Sequence, residues 1–133
     1  MGKRSGCAIN HALEIFGDRW SLLIVRDMAQ KGHTAFSQFR TMSEGIASNI
    51  LSDRLARLEA AGVISRQPDA QDGRRTRYLL TESGRDLIPV LLDIMAWSFR
   101  HDPSVNVSPA MAARIARDRD GLAAEIRAKL DGQ

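Results

Sequence analysis

The sequence predicts a mainly helical α+β fold, in which two helices joined by a short turn are followed by a two-stranded hairpin. Apolar side chains recur at helical spacing along most of the chain, most regularly in residues 47–61. Residues 63–67 and 75–80 interrupt this pattern as two β-prone runs on either side of the turn-forming pair Asp72-Gly73. Hydrophobic residues make up 44% of the chain, which is enough for the core of one small domain spanning residues 1–133.

The N-terminal part, residues 7–32, is expected to form two helices after a basic tail. The first helix should run from Cys7 to about Phe16, with an apolar side made by Ile9, Leu13 and Phe16. Asp18 should cap the second helix, which the apolar spacing places at Arg19–Gln30.

The middle part, residues 33–81, contains shorter elements. His33–Ala35 is a candidate short strand, Phe36–Met42 a helix of about two turns, and Ser43–Gly45 the turn after that helix. The next helix, Ala47–Ala61, should be held in the core by three leucines at helical spacing: Leu51, Leu55 and Leu58.

The C-terminal part is expected to contain two long helical stretches. The first, Glu82–His101, should be capped by Thr81 and bent at Pro89. Ser108 should cap the second, and Gly121 is a candidate break within it. The apolar residues of this second stretch are sparse but lie on one side: Met111, Ile115, Leu122, Ile126 and Leu130. This apolar side needs a covering surface, and we expect a dimer partner to provide it.

The order helix, turn, helix, hairpin is the plan of a winged helix-turn-helix, which lays its second helix in the major groove of double-stranded DNA. The leucines would fix that helix and leave short polar side chains outside, where they can reach base edges. We expect DNA contacts from Ser48, Asn49, Ser52, Asp53 and Arg57. A simpler interpretation of the same helix is a solvated face with an i, i+4 ion pair between Asp53 and Arg57.

Three arginines lie at the tip and in the second strand of the hairpin: Arg74, Arg75 and Arg77. Arginines placed in this way supply phosphate contacts that do not depend on sequence. Strand alternation puts Arg75 and Arg77 on one face, so that this face would meet DNA while Tyr78 packs inward. The alternative is that these arginines pair with the aspartates of the surface turn.

Charge and composition narrow the class of protein. The net charge of +3 and the pI of about 9.6 agree with a nucleic-acid partner. The single cysteine excludes an intrachain disulfide framework, and His33 and His101 lack partners at metal-ligand spacing, so we expect no metal and no cofactor. The first residues do not resemble a secretory signal, and the apolar runs are too short to cross a bilayer, so we expect a cytoplasmic protein without a membrane partner.

Residues 7–97 resemble the HxlR family of bacterial regulators, which are relatives of the MarR type. The matching segments are Cys7, ALEIFGDRW (12–20), SLLIVRDM (21–28), GIASNILSDRLARLEAAGVISR (45–66), RYLLTESGRDL (77–87) and Trp97. The resemblance implies a homodimeric transcription factor with Ala47–Ala61 as recognition helix and residues 67–77 as wing, whose dimer is built by the N-terminal helix and the helix after the wing. The resemblance does not cover the tail past His101, but we expect residues 82–133 as a whole to form dimerisation helices. The implied dimer contacts are Ile9, Leu13, Leu91, Ile94 and Trp97.

Cys7 is a candidate redox sensor, because some members that resemble this chain sense oxidants through a cysteine at this place. His11 at i+4, together with Lys3 and Arg4, would favour the reactive thiolate. The alternative is that Cys7 is a small buried residue at the dimer contact.

Other functions compete with that of a DNA-binding regulator. Trp20 and Trp97 are candidates for lining a small-molecule effector cavity, or are core and interface anchors. A winged helix can also serve as a protein–protein interaction module without DNA binding, although the arginine-rich hairpin argues against this. The sequence contains no nucleophile–base pair, phosphate-binding glycine loop or paired carboxylates, so we expect no enzyme activity.

Overall fold

The computed structural model describes residues 6–133, which divide after Gly84 into two compact units. Lys3 and Arg4 of the expected basic tail lie outside the described residues. The first unit contains α1 (Ala8–Phe16), α2 (Ser21–Lys31), α3 (Phe36–Phe39), α4 (Ser48–Ala60), β1 (Ile64–Pro68) and β2 (Thr76–Leu80). The short helix α5 (Glu82–Arg85) crosses the boundary, and α6 (Ile88–His101) and α7 (Pro109–Leu130) form the second unit. The predicted winged-helix fold is confirmed.

Asp18 determines where α2 begins. Its carboxylate accepts hydrogen bonds from the backbone N–H groups of Trp20, at 2.8 Å, and Ser21, at 3.0 Å. These bonds form a capping turn, so α2 begins at Ser21, two residues later than the apolar spacing suggested. The helix ends at Gly32, whose φ of 67° is the left-handed conformation that glycine adopts most readily.

Helix α3 has one turn, so the predicted two-turn helix Phe36–Met42 is wrong in length. After Phe39 the backbone tightens, because the N–H groups of Thr41 and Met42 donate to carbonyls three residues earlier, each at 3.1 Å. The buried side chains of Phe39 and Met42 nevertheless fix this segment in the core.

Helix α4 has the predicted leucine side, since Leu51, Leu55 and Leu58 are all buried. It packs against α2 and β1. Gly62 comes after the helix with a φ of 77°, and the chain turns there directly into the buried residue Val63.

Strands β1 and β2 form an antiparallel hairpin in which Arg66 lies opposite Tyr78. The ring of Tyr78 meets Phe39 edge-on at 6.3 Å between centroids, so the expected inward packing of Tyr78 is confirmed. The predicted strand at His33–Ala35 does not form. Thr34 makes a single strand-like contact, because its carbonyl accepts the N–H of Tyr78 at 2.8 Å.

The expected continuous helix Glu82–His101 is two helices, α5 and α6. Thr81 caps α5 as predicted, because its Oγ1 accepts the N–H of Gly84 at 3.2 Å. Pro89 lies in the first turn of α6, where its missing N–H leaves no helical hydrogen bond unmade. The chain therefore restarts a helix before Pro89 instead of bending at it.

Helix α7 is capped by Ser108, whose Oγ accepts the N–H of Met111 at 3.0 Å. The break is at Asp118 (φ −151°, ψ 57°) and not at Gly121, because the carboxylate of Asp118 accepts the N–H of Gly121 at 3.1 Å and caps the second part of the helix. Helix α7 packs along α6 of the same chain, which corrects the expectation that its apolar side awaits a dimer partner. The buried residues of that side are Ile115, Leu122 and Leu130.

Candidate nucleic-acid interface

The outer face of α4 presents the polar side chains expected to contact DNA. They lie on the side of the helix away from the buried leucines, and all are exposed: Ser48, Asn49, Ser52, Asp53 and Arg57. Hydroxyl, amide, carboxylate and guanidinium groups together offer both donors and acceptors to base edges. The structure thus brings together on one surface the residues that the helical spacing selected.

Asp53 is held in ion pairs on this face. Its Oδ2 lies 3.8 Å from Nη1 of Arg57, the i, i+4 partner considered from the sequence, and also contacts Nη1 of Arg54. These two positive charges offset a carboxylate that would otherwise repel DNA phosphates.

A second carboxylate, Asp18, fixes the other side of Arg54. Nε of Arg54 donates to Asp18 Oδ2 at 3.0 Å, which links α4 to the start of α2. Burial alone would raise the pKa of Asp18, but hydrogen bonds from Ser21, Trp20 and Arg54 together lower it to about 2. Asp18 is therefore ionised when it holds Arg54.

The turn before α4 is attached to α2 by a bidentate ion pair. Nη1 and Nη2 of Arg26 donate to the two carboxylate oxygens of Glu44 at 2.8 and 2.9 Å. The hydrogen bonds from Arg26 outweigh the opposing effect of burial and lower the pKa of Glu44 to about 2. Arg26 also donates from Nε to the fully buried Asp27 at 3.0 Å. The pair between Arg26 and Glu44 restrains the turn that precedes α4.

The wing presents its arginines at the tip of the hairpin. The side chains of Arg74 and Arg75 are 93% and 81% exposed and lie 3.3 and 3.6 Å from carboxylate oxygens of Asp72. Arg74 and Arg75 therefore do pair with an aspartate of the turn, Asp72, as in the alternative interpretation of the sequence. Such exposed pairs are weak, so both arginines remain able to exchange Asp72 for a phosphate. Arg77 lies on β2 and is half-buried.

Arg26, Glu44 and Arg54 were not among the residues selected from the sequence. Their contacts join positions 18 and 36 residues apart, which no periodicity within one helix reveals. The one local signal is Asp18, whose place before α2 predicts a helix cap but gives no indication of its contact with Arg54.

Residues 15–105 match the family described as HxlR-like helix-turn-helix. The chain belongs to this family. The matched range contains α2 to α6 and therefore the outer face of α4, the wing and both ion-pair links to α2. It leaves out Cys7 and the whole of α7, so family membership alone says nothing about these two features.

Relatives of this HxlR-like chain are named transcriptional regulators and not enzymes. An uncharacterized HTH-type transcriptional regulator of Mycobacterium tuberculosis is 39% identical over 98 residues, which cover 74% of this chain and 61% of that protein. The chain thus matches less than two-thirds of that relative's length. The transcription-factor candidate PA1607 has a TM-score of 0.70 at 39% identity, covering 80% of this chain and 72% of its own. The oxidized redox regulator HypR has a TM-score of 0.62 at 28% identity, covering 71% and 96%.

Cys7 of the HxlR-like chain is exposed at the start of α1. Backbone N–H groups of Asn10 and Ile9, at the N-terminus of that helix, lower the pKa of the thiol. The helix terminus is thus a cause that the sequence analysis did not name. The alternative interpretation, burial of Cys7 at a dimer contact, concerns two chains and stays a prediction.

Both units expose apolar side chains on a helix. On α1, Ile9 is 73% and Leu13 is 55% exposed; on α6, Ile94 is 42% and Trp97 is 59% exposed. Leu91 is half-buried. Exposed groups of large apolar side chains commonly mark an interaction surface.

The two tryptophans do not line the cavity found in the second unit. This cavity of about 350 Å³ lies between α6 and the start of α7 and is lined by Ala96, Phe99, Arg100, Pro109, Ala112, Ala113 and Ala116. The guanidinium of Arg19 lies 5.1 Å from the centroid of the Trp20 ring. The ring centroids of Trp97 and His101 are 5.2 Å apart. In the described residues no group of three or more His, Cys, Asp or Glu could hold a metal, and no helix is long and apolar enough to span a membrane.

Proposed function

We propose that the protein is a transcriptional regulator that binds a pseudo-palindromic DNA operator as a homodimer. The observation that carries the proposal is the combination of an exposed polar face on α4 with arginines at the tip of the adjoining hairpin. The face would enter the major groove and read bases, and the wing would contact phosphates beside it. Membership of the HxlR-like family supports this assignment.

The roles of individual residues are assigned from their chemistry. Asn49 can pair with adenine through its amide, and Ser48 and Ser52 can donate to or accept from several bases. Arg57, at the far end of the same face, would reach a base or a phosphate. Arg74, Arg75 and Arg77 would neutralise phosphates, which fixes the position of α4 without selecting sequence.

The direct test is selection of bound DNA from a random pool with the full chain, and then footprinting of the selected sites. We expect two related half-sites whose centres lie about 10 base pairs, or a multiple of this, apart. Asn49→Ala should change the selected bases without changing the salt dependence of binding. Recovery of no preferred sequence would overturn the proposal and favour the protein–protein interaction module.

We propose further that the exposed apolar sides of α1 and α6 supply the dimer contacts. Leu13→Ser removes an exposed leucine from α1, where no residue is buried in the single chain, so the monomer should fold unchanged. Sedimentation equilibrium should then show a weaker dimer and a normal circular dichroism spectrum. Met111→Ser, an exposed apolar residue on α7, is the control. An unchanged dissociation constant for Leu13→Ser would remove α1 from the interface.

Cys7 is proposed as a redox-sensitive position. An exposed thiol at a helix N-terminus is more readily ionised and oxidised than a buried one, and the structural relative HypR is named a redox regulator. Because the chain has one cysteine, a disulfide would join two subunits or a small thiol. Diamide should reduce operator binding by the native protein and not by Cys7→Ser. Equal loss in both proteins would contradict this role.

A further inference from the structure

We propose that Arg54, anchored by Asp18, positions Asp53 to accept a hydrogen bond from a cytosine of the operator. Arg54 is thereby a specificity-determining positioning residue that does not itself touch DNA. The inference rests on the proposed function, because it requires the outer face of α4 to lie in the major groove.

The side chain of Arg54 is fixed at two points. Its Nε donates to Asp18 Oδ2 at 3.0 Å, and its Nη1 donates to Oδ2 of Asp53. The guanidinium is planar, so a hydrogen bond at Nε also determines the direction of Nη1. The side chains of Arg54 and Asp18 are only 19% and 21% exposed, so the anchored end of this contact lies away from solvent.

Asp53 is held so that one carboxylate oxygen stays available. Both ion-pair contacts, from Arg54 and from Arg57, reach Oδ2. Among the described residues nothing donates a hydrogen bond to Oδ1, and the side chain is 54% exposed on the outer face of α4. Oδ1 is therefore an acceptor with a fixed direction and room for a partner.

An ionised carboxylate can only accept hydrogen bonds, which restricts the bases that it can read. In the major groove the donors are the exocyclic amines of cytosine and adenine, while guanine and thymine present acceptors that would repel Asp53. The amine of adenine lies beside the acceptor N7, whereas that of cytosine lies beside the C5–H group. The carboxylate therefore favours cytosine.

Asp18 is the anchor of this arrangement. Its other hydrogen bonds come from Trp20 and Ser21, so its position is set by the start of α2 and not by DNA. A flexible aspartate on a helix surface would lose conformational freedom on binding a base. Asp53 has lost this freedom before DNA arrives, which strengthens discrimination.

The test begins with the operator selected by the native protein. We expect one cytosine in each half-site whose replacement by thymine weakens binding about tenfold or more. Replacement of that cytosine by 2-pyrimidinone, which pairs with guanine but lacks the amine, should give a comparable loss. Asp53→Asn should move the preference at this position towards adenine, because an amide both donates and accepts.

Arg54→Lys keeps the positive charge but cannot hold both carboxylates with one planar group. We expect it to reduce the cytosine preference at least threefold, while the melting temperature and the salt dependence of binding change little. Arg85→Lys is the matched control: its guanidinium also holds an aspartate, Asp131, and its side chain is likewise 19% exposed, but it is not among the proposed DNA contacts, so its cytosine preference should be native. Asp18→Asn keeps an oxygen to cap α2 but turns its ion pair with Arg54 into a weaker, neutral hydrogen bond, so it should reduce the cytosine preference in the same direction as Arg54→Lys and by less.

A purely structural role for Arg54 would weaken binding to all sequences equally, whereas the positioning role changes the ratio between sequences. A native cytosine preference in Arg54→Lys and Asp18→Asn, or an operator whose affinity does not depend on the cytosine amine, would overturn this inference alone. If no sequence is selected, the proposed function fails and this inference fails with it.

Discussion

Removing two arginines of the wing should change how strongly DNA binding depends on salt. In Arg75→Gln/Arg77→Gln, each subunit of a dimer loses two positive charges from the face of the hairpin proposed to meet phosphates. Each neutralised phosphate contributes about 0.9 to the slope of log K against log salt concentration. Four lost contacts should therefore lower the magnitude of that slope by about 3.6.

This change is large enough to measure directly. Between about 50 and 200 mM salt the native protein should lose about 150-fold more affinity than the variant, because a slope difference of about 3.6 acts over a fourfold concentration range. The ion pair of Arg75 with Asp72 should reduce this little, since the Arg75 side chain is 81% exposed and such pairs are weak. Fluorescence anisotropy with a labelled operator at several salt concentrations gives both slopes.

The matched control removes the same charge elsewhere. The control is Arg66→Gln/Arg117→Gln. Arg66 pairs with Tyr78 across the hairpin, so its side chain is on the other face from that of Arg77. Arg117 lies on α7. The control slope should stay close to native. Equal slopes for the two double variants would refute the contact model and show that only the net charge of the protein matters.

Three further predictions concern the stability of the fold. Gly84→Ala should destabilise the protein by about 1–3 kcal/mol, because the new Cβ would lie 2.2 Å from a backbone carbonyl oxygen, whereas Gly73→Ala meets no atom within 4 Å and should melt like the native protein. Ser108→Ala should cost about 1 kcal/mol in chemical denaturation by removing the cap of α7, and Ser108→Asp should restore most of it. The pKa of Glu44 is lowered to about 2 in the folded protein. Its ionised carboxylate therefore adds to the free energy of unfolding above about pH 4.5, and this addition is lost as the pH falls towards 2. In Glu44→Gln the free energy of unfolding should fall by about 1–2 kcal/mol less over this pH range, a value that allows for solvent screening. An unaltered acid profile in Glu44→Gln would show that its pair with Arg26 contributes nothing to stability.

The parts of the fold that depend on local periodicity could be predicted from the sequence. The three leucines of α4 are enough to place the helix and its outer face, because a spacing of three and four residues admits one buried side. The hairpin is predicted in the same way from two β-prone runs around Asp72-Gly73. The polar residues of the candidate interface are then determined by exclusion from the buried side.

The remaining features depend on contacts between distant residues or on competition between two local signals. The link between Arg54 and Asp18 spans 36 residues and cannot be seen in either helix alone. Near Gly121 the glycine suggested a break, but the carboxylate of Asp118 determined where it occurs, since it caps the next turn. Likewise Pro89 indicated an irregularity without deciding between a bend and a new helix start.

The contact between Thr34 and Tyr78 has a consequence for association between chains. Thr34 accepts the N–H of Tyr78 on the side of β2 away from β1, so this edge of the hairpin is partly occupied. The opposite edge belongs to β1, whose last residue, Pro68, has no N–H to offer an incoming strand. Each edge thus offers fewer free backbone groups to a strand from another chain than an uncovered edge without proline would.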